Sequence, residues 1–499
     1  MSPTTANFPF LSVLIFSPVA AVVVLGFLRD ARLQRWWTLV FTTAAALFSL
    51  LLLPRFDSGT HAFQFVERAA WIPSLKINYV LGVDGISLLL VLLTTMITPL
   101  CVLASWNYIQ KRIREFLIAL LLMQTTMIGV FCALDTILFF TFWEAMLIPM
   151  ALLIGIWGGP RRVYASLKFF IYTMAGSVFL LVALIALRLK TGSFDLVAAM
   201  GQPYGHTFQA WVFGAFFISF AIKVPMFPFH TWLPAAHVEA PTAGSVLLAS
   251  ILLKMGTYGF LRFALPITPA AVQTFGPAIM WLSVAAILYG GFAALAQTDL
   301  KKLVAYSSVS HMGFATLGIF ALNAGGVEGA TLVMINHGIT TGGLFMVVGL
   351  IYERLHTRDL AAAAGIGKHM PIFAFCYGVF CLSSLAFPGT NSFIGEFLVM
   401  AGGFKVSKLL IACAVPGIVA AAAYNLRMLQ KLAYGGTGNP AHEHLVDLNF
   451  REMAMFAPLI VFVFWIGLHP SPIVRIMHAS VVHLLQQANP VITQVAALP

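Results

Sequence analysis

Four full charges stand inside stretches that otherwise read as lipid-buried apolar helix: Glu144 in FFTFWEAMLIPM, Lys223 in FFISFAIKVPMF, Lys254 in LLASILLKMGTYGF and Glu396 in NSFIGEFLVM. A charge at the centre of a membrane helix costs about 2.5–3.5 kcal/mol even on the mildest insertion scales. Packing alone does not explain four of them, and ionisable groups at that depth are by default candidates for an ion or proton path, with one another as partners. Burial raises a carboxyl pKa and lowers an amine pKa, whereas an opposite charge nearby does the reverse. A Glu–Lys pair held in lipid can therefore change protonation when its partner moves, which is the chemistry a proton relay needs. Two histidines, His311 in AYSSVSHMGF and His337 in VMINHGITTGG, also fall inside apolar stretches. Imidazole titrates nearest neutral pH, so they extend the candidate line; the alternative is that each is a satisfied core residue. His230, His237 and Glu239 lie in a Pro-rich turn and read as a solvated or interfacial loop, with a metal site as the lesser alternative.

These groups need a membrane to sit in, and composition provides it. Hydrophobic residues make up 60% of 499 and charged residues 9%, with a mean hydropathy of +0.93; a soluble domain carries about 25% charged residues. Blocks of about 20 apolar residues, the length a bilayer requires, follow one another near 9–28, 35–54, 85–105, 115–133, 135–156, 166–188, 209–228, 243–264, 277–296, 303–321, 330–351, 371–402, 408–429 and 452–470. The expected fold is an all-α polytopic membrane protein of about 14 transmembrane helices in one domain. At 1.5 Å per residue, Glu144 lies roughly 13 Å, Lys254 roughly 17 Å and Lys223 roughly 20 Å into its span, all near the middle of a core about 30 Å thick.

Two spans look broken. The seventh is interrupted by Pro225 and Pro228, with Pro234 and Pro241 following, and the twelfth, too long for one simple helix, by Pro388 and Gly389. Proline removes an intrahelical hydrogen bond and clashes with the preceding turn, and in lipid the freed carbonyls must be met by protein or water. Interrupted helices at corresponding positions of two halves point to an inverted repeat. The first repeat then covers 115–264 (helices 4–8) and the inverted second repeat 277–429 (helices 9–13), preceded by helices 1–3 over 9–105 and followed by a last helix at 452–470. Ordinary proline kinks are the plainer alternative.

The net charge of +11 is a topology signal rather than a nucleic-acid patch. With the N-terminus outside, the odd loops carry 16 Lys/Arg, Lys301 among them, and the even loops and C-terminal tail 9, Arg262 among the latter. The positive-inside rule puts the odd loops in the cytoplasm and both termini outside. The five cysteines all fall in or beside apolar spans without a ligand spacing, so metal and iron–sulfur readings fail. The first block lacks a basic start and a cleavage site, so it reads as a retained span. Neither a G-x-G-x-x-G opening a βαβ unit nor a Walker motif is present, so no nicotinamide, flavin or ATP is expected on this chain.

The stretches FWEAMLIPMALLIGIWGG, FAIKVPMFPFHTWLPAAHVEAPTAGSVLLASILLKMGTYGFLRF and QTDLKKLVAYSSVSHMGFATLGIF resemble the proton-conducting, antiporter-like membrane subunits of respiratory complex I. The resemblance covers nearly the whole chain. It implies 14 helices with two inverted five-helix repeats, each containing a discontinuous helix. It also implies roles: Glu144 and Lys223 as the input pair, Lys254 as the central relay, His311 and His337 as bridging groups, and Glu396 as the terminal group. A glutamate rather than a lysine in the twelfth helix is similar to the M-type subunit, the bacterial counterpart of mitochondrial chain 4. NADH, FMN, iron–sulfur clusters and quinone would then sit on partner subunits, with none in this chain. Sister antiporter-like subunits would flank it in the bacterial inner membrane, both termini periplasmic. Multisubunit sodium/proton antiporters and membrane-bound hydrogenases share this core, and a purely structural scaffold is the alternative of another class.

Overall fold

The computed structural model describes residues 8–436, 442 and 444–489. In chain order the principal helices are α1 (Phe10–Phe27), α2 (Ala31–Arg55), α3 (Gly85–Ala104), α4 (Ile113–Cys132), α5 (Thr136–Trp157), α6 (Arg162–Thr191), α7 (His206–Lys223), α8 (Trp232–Glu239), α9 (Thr242–Ile267), α10 (Pro269–Leu295), α11 (Leu300–Phe320), α12 (Ala324–Leu355), α13 (Pro371–Ser384), α14 (Asn391–Val406), α15 (Lys408–Tyr434), α16 (Phe450–Leu468) and α17 (Ser471–Ala488). Among the described residues, 12 of these are long and apolar enough to cross a membrane. The two expected spans outside that set, 209–228 and 371–402, are the two that break.

The breaks fall where proline chemistry puts them. Helix α7 ends at Lys223, two residues before Pro225, and the chain runs irregularly to α8. The carbonyl of Ile222, left without its helical donor, accepts from the indole Nε1 of Trp232 at 2.8 Å, so the break is satisfied by protein as a lipid-buried backbone requires. The second break separates α13 from α14. There Gly389 adopts φ +92°, a backbone conformation open to glycine without strain, which lets the chain turn back into α14 directly after Pro388. Helix α9 is unbroken but carries π-helical turns at Leu248–Leu252 and Phe260–Ala264. Such turns widen a helix locally and are frequent at functional positions.

Two elements lie outside the expected spans, and the first departs from the all-helical expectation. Residues 64–83 form an antiparallel hairpin, β1 (Gln64–Ile72) and β2 (Ile77–Val83). The stretch after the last expected span is the amphipathic helix α17, which buries Ile473, Met477, Val481 and Leu484 along one face. Hairpin and helix cover one face of the bundle: Glu67 of β1 accepts from the Leu11 amide at 2.8 Å, and Ser480 of α17 accepts from the Gly85 amide that opens α3 at 3.0 Å. The termini, 1–7 and 490–499, lie outside the described residues. Two isolated backbone bridges join Asp135 to Asp195 and Asp299 to Asp359. Each pair is 60 residues apart in the chain, and each ties the start of one span (α5, α11) to the segment following the next (α6, α12).

Candidate functional site

The six ionisable groups singled out in the sequence fall into two sets. Glu144 lies on α5 just before Met146, where the helix bends. Its side chain is half-buried, and its Oε1 is buried without a hydrogen-bond partner. Lys223, the last residue of α7, is 2% exposed. The two are close enough for Glu144 to act on the ammonium charge, but they do not form the contact ion pair that the sequence suggests. The Lys223 Nζ lies instead 4.8 Å from the centre of the Trp143 ring and has no hydrogen-bond partner among the described residues. A cation over an indole face is held electrostatically, and this indole is fixed by its Nε1 donating to Ser177 at 3.0 Å. Residue 143 therefore occupies the ammonium that residue 144 is expected to pair with.

The other four groups form a continuous line. The Lys254 ammonium donates to the carbonyl of Ala249 and meets His337 Nδ1 at 2.6 Å. The His337 ring lies 5.7 Å, centre to centre, from that of His311. His311 Nδ1 meets Glu396 Oε1 at 2.8 Å. The line crosses from α9 through α12 and α11 to α14, entering the second broken span seven residues beyond Gly389. Between the histidines a cavity of about 10 Å³ is lined by Thr340, Ser384, Ser392 and Glu396, about the space one water needs. Ser384 and Tyr424 approach His311 Nε2, each at 3.4 Å. Both histidines are thus members of a polar line, not isolated core residues.

The loop reading of His230, His237 and Glu239 is corrected by the structure. They are 4%, 0% and 6% exposed, because α8 folds back into the bundle against α6 and α11. His237 stacks on Phe345 with ring centres 4.4 Å apart, and neither ring nitrogen has a hydrogen-bond partner among the described residues. The charges of Lys301 and Lys254 both act on it. Lys301, counted from sequence as a loop charge, is 6% exposed and donates to the Ala240 carbonyl at 2.6 Å. Beside them a cavity of about 150 Å³ opens between Arg161, Glu239, Lys302 and Tyr306. His237, read from sequence as a loop residue, and Lys301, read as a loop charge, are thus buried polar groups within electrostatic reach of one another, with Lys254 also acting on His237. Arg262, also counted as a loop charge, lies inside α9 and pairs with Asp84 at 2.6 Å.

Known proteins resemble this chain over nearly its whole length. Residues 133–421 match the family described as NADH:quinone oxidoreductase/Mrp antiporter, TM, and residues 13–130 match NADH-ubiquinone oxidoreductase chain 4, amino terminus. The chain is 45% identical to NADH-quinone oxidoreductase subunit M of Rhodobacter capsulatus, over 95% of this chain and 96% of that protein. It is 44% identical to NADH-ubiquinone oxidoreductase chain 4 of Arabidopsis thaliana, over 96% and 97%. Among solved structures, a chain of respiratory complex I from Thermus thermophilus with bound NADH superposes with a TM-score of 0.88 at 30% identity, covering 96% of this chain and 99% of that one.

Proposed function

Because the chain belongs to the NADH:quinone oxidoreductase/Mrp antiporter membrane family, in the branch of subunit M and chain 4, we propose that its buried ionisable groups are the path along which it moves protons. The chain is a proton-translocating membrane subunit of NADH:quinone oxidoreductase. The observation that supports the path is the unbroken order Lys254, His337, His311, Glu396 across four helices. In this reading Glu144 and Lys223 take the input step. A proton handed to Lys254 passes to His337, crosses the single-water space to His311, and reaches Glu396. Each histidine can accept on one nitrogen while the other releases, and no group needs to travel further than a side-chain rotation. The recurrence of the aspartate bridge in both halves supports two inverted repeats over 115–264 and 277–429.

The redox steps belong to partner subunits that carry NADH, FMN, iron–sulfur clusters and quinone, and sister antiporter-like subunits flank this one in the bacterial inner membrane. The Lys/Arg bias places both termini on the periplasmic side. Reporters check this directly: one fused after Pro499 should be periplasmic and one inserted within 354–368 cytoplasmic, and both on one side would refute the orientation. The path is tested in the assembled complex by proton uptake into inverted vesicles, with NADH:acceptor activity as the control for assembly. Glu396→Ala should suppress uptake, and Glu396→Lys, which keeps a titratable group, should suppress it less. Full uptake by the Glu396→Ala complex would remove the terminal step.

A further inference from the structure

The central lysine lies a short way beneath an outward-opening cavity, and something must keep the two apart. Under the hairpin, on the face carrying α17, a cavity of about 310 Å³ is bounded by His61, Phe63, Arg68, Asp84, Arg262 and His483. At its base are Asp84 and Arg262, only 4% and 8% exposed. Lys254, Tyr258 and Arg262 follow one another at four-residue spacing along α9, so they share one stripe of that helix. The two π-helical turns of α9 stand on either side of Lys254 and Tyr258. Eight residues of helix correspond to about 12 Å, and within that distance Tyr258 and Arg262 are the polar groups on the stripe between Lys254 and the cavity.

We infer that the Asp84–Arg262 pair is an electrostatic seal: it closes the first half of the relay against protons from the face carrying the hairpin. The guanidinium is clamped on every side. Its Nη2 donates to Asp84 Oδ1 at 2.6 Å and its Nε to the Tyr258 hydroxyl at 3.1 Å. Its plane is covered by Phe63, from the hairpin side, at 4.8 Å and by Tyr258 at 5.2 Å. Tyr258 donates onward to the Phe131 carbonyl at 3.1 Å, and Ser87 holds the Asp84 carboxylate through its amide at 2.9 Å and its hydroxyl at 3.0 Å. Arginine does not release its proton in proteins, so it passes nothing along, and its fixed positive charge repels an approaching proton as arginine does in other selective pores. A pair that only locked helices together could sit anywhere between α3 and α9. This one sits at the base of the cavity, in line with the group that must hold a proton without losing it to that side. The inference rests on the relay reading, because a seal matters only if Lys254 carries protons.

The test uses the whole complex reconstituted into liposomes without NADH, with a potassium diffusion potential imposed and internal pH followed by a trapped dye. Wild-type complex should hold the gradient. Arg262→Gln should raise passive proton flux about tenfold, the scale of change that losing one fixed charge makes to a barrier at this range, and Arg262→Lys, which keeps a charge but can release its proton, should raise it less. Phe63→Ala, which frees the guanidinium without touching the ion pair, should raise the flux by a smaller factor and covers the case in which Arg262→Gln does not assemble. Assembled Arg262→Gln complex as tight as wild type would overturn the seal, as would a tight Phe63→Ala complex if the first variant is lost. In Arg262→Gln/Lys254→Met the leak should disappear. A leak that persists without Lys254 runs outside the relay and overturns the seal as drawn, while the relay reading is judged separately by the uptake of the Lys254→Met single variant.

Discussion

The region around Glu144 and Lys223 and the region from Lys254 to Glu396 hold the same kinds of groups and organise them in opposite ways. In the second region every group touches the next, or faces it across space for one water, and each charge is met by a ring nitrogen, a carbonyl or a carboxylate. In the first, a buried ammonium rests on an indole, and the carboxylate meant for it leaves an oxygen unmet. A buried polar group left unpaired is costly; in the second region the His337 Nε2 lacks a partner among the described residues, in the first the Lys223 Nζ and the Glu144 Oε1. In the proposed reading the second region acts as a conduit and the first as a switch in which Lys223 would leave Trp143 for Glu144.

That contrast orders the effects of substitution. Cutting the conduit at its head should do most: Lys254→Met leaves His337 without its donor and should lower proton uptake about a hundredfold, within the range one positioned acid–base group supplies. Uptake within a fewfold of normal would show that protons bypass the line. Breaking the switch comes next. Glu144→Gln and Lys223→Ala should each suppress coupled uptake with assembly retained, and the double variant should be no worse than either, because groups acting as a unit are non-additive. Additive losses would make them two independent sites. Trp143→Leu should have a smaller effect, since a cation–aromatic contact contributes about 0.5–2 kcal/mol. It releases Lys223 toward Glu144, so uptake should change only a fewfold while infrared spectra report altered titration of a carboxylate. An unchanged carboxylate signal would mean that the indole is not the competing partner. The smallest effect is expected from Ser384→Ala, which removes a long contact to His311 and the acceptor of the Asn425 Nδ2 at 3.2 Å, each worth about 1 kcal/mol or less. A loss as large as that of Lys254→Met would make this hydroxyl a member of the line.

The membrane spans and the six relay candidates were legible because the bilayer makes both stand out: twenty apolar residues have one use, and a charge among them has few. The breaks at Pro225 and Pro388 were legible because proline acts locally. What sequence could not supply was which groups meet. Glu144 and Lys223 were read as a pair, and the ammonium rests instead on Trp143, adjacent to Glu144 in the chain and apolar by type. His237 was read as a loop residue because its neighbours are prolines, and nothing local tells that α8 folds back into the bundle. Lys301 and Arg262 were counted as loop charges because each lies within a few residues of a span end, where a side chain can be buried or free. The hairpin and α17 escaped because neither is apolar throughout; α17 is one-sided, a pattern that only the face of the bundle beneath it makes meaningful, and the strands bury one end rather than one face.

The paired bridges Asp135–Asp195 and Asp299–Asp359 carry a consequence for vectoriality. The same stapled unit occurs twice, at the same spacing, each time clasping one span to the segment after the next. With the second unit inverted, as the five-helix repeats require, a scaffold composed of such a unit and its inverted copy has no preferred direction of its own. Direction must then be written in the few side chains by which the copies differ: a carboxylate beside an indole and an ammonium in one, and a histidine beside a carboxylate in the other. The sense of transport is in that case an editable property of a handful of residues, laid on a frame indifferent to which side is which.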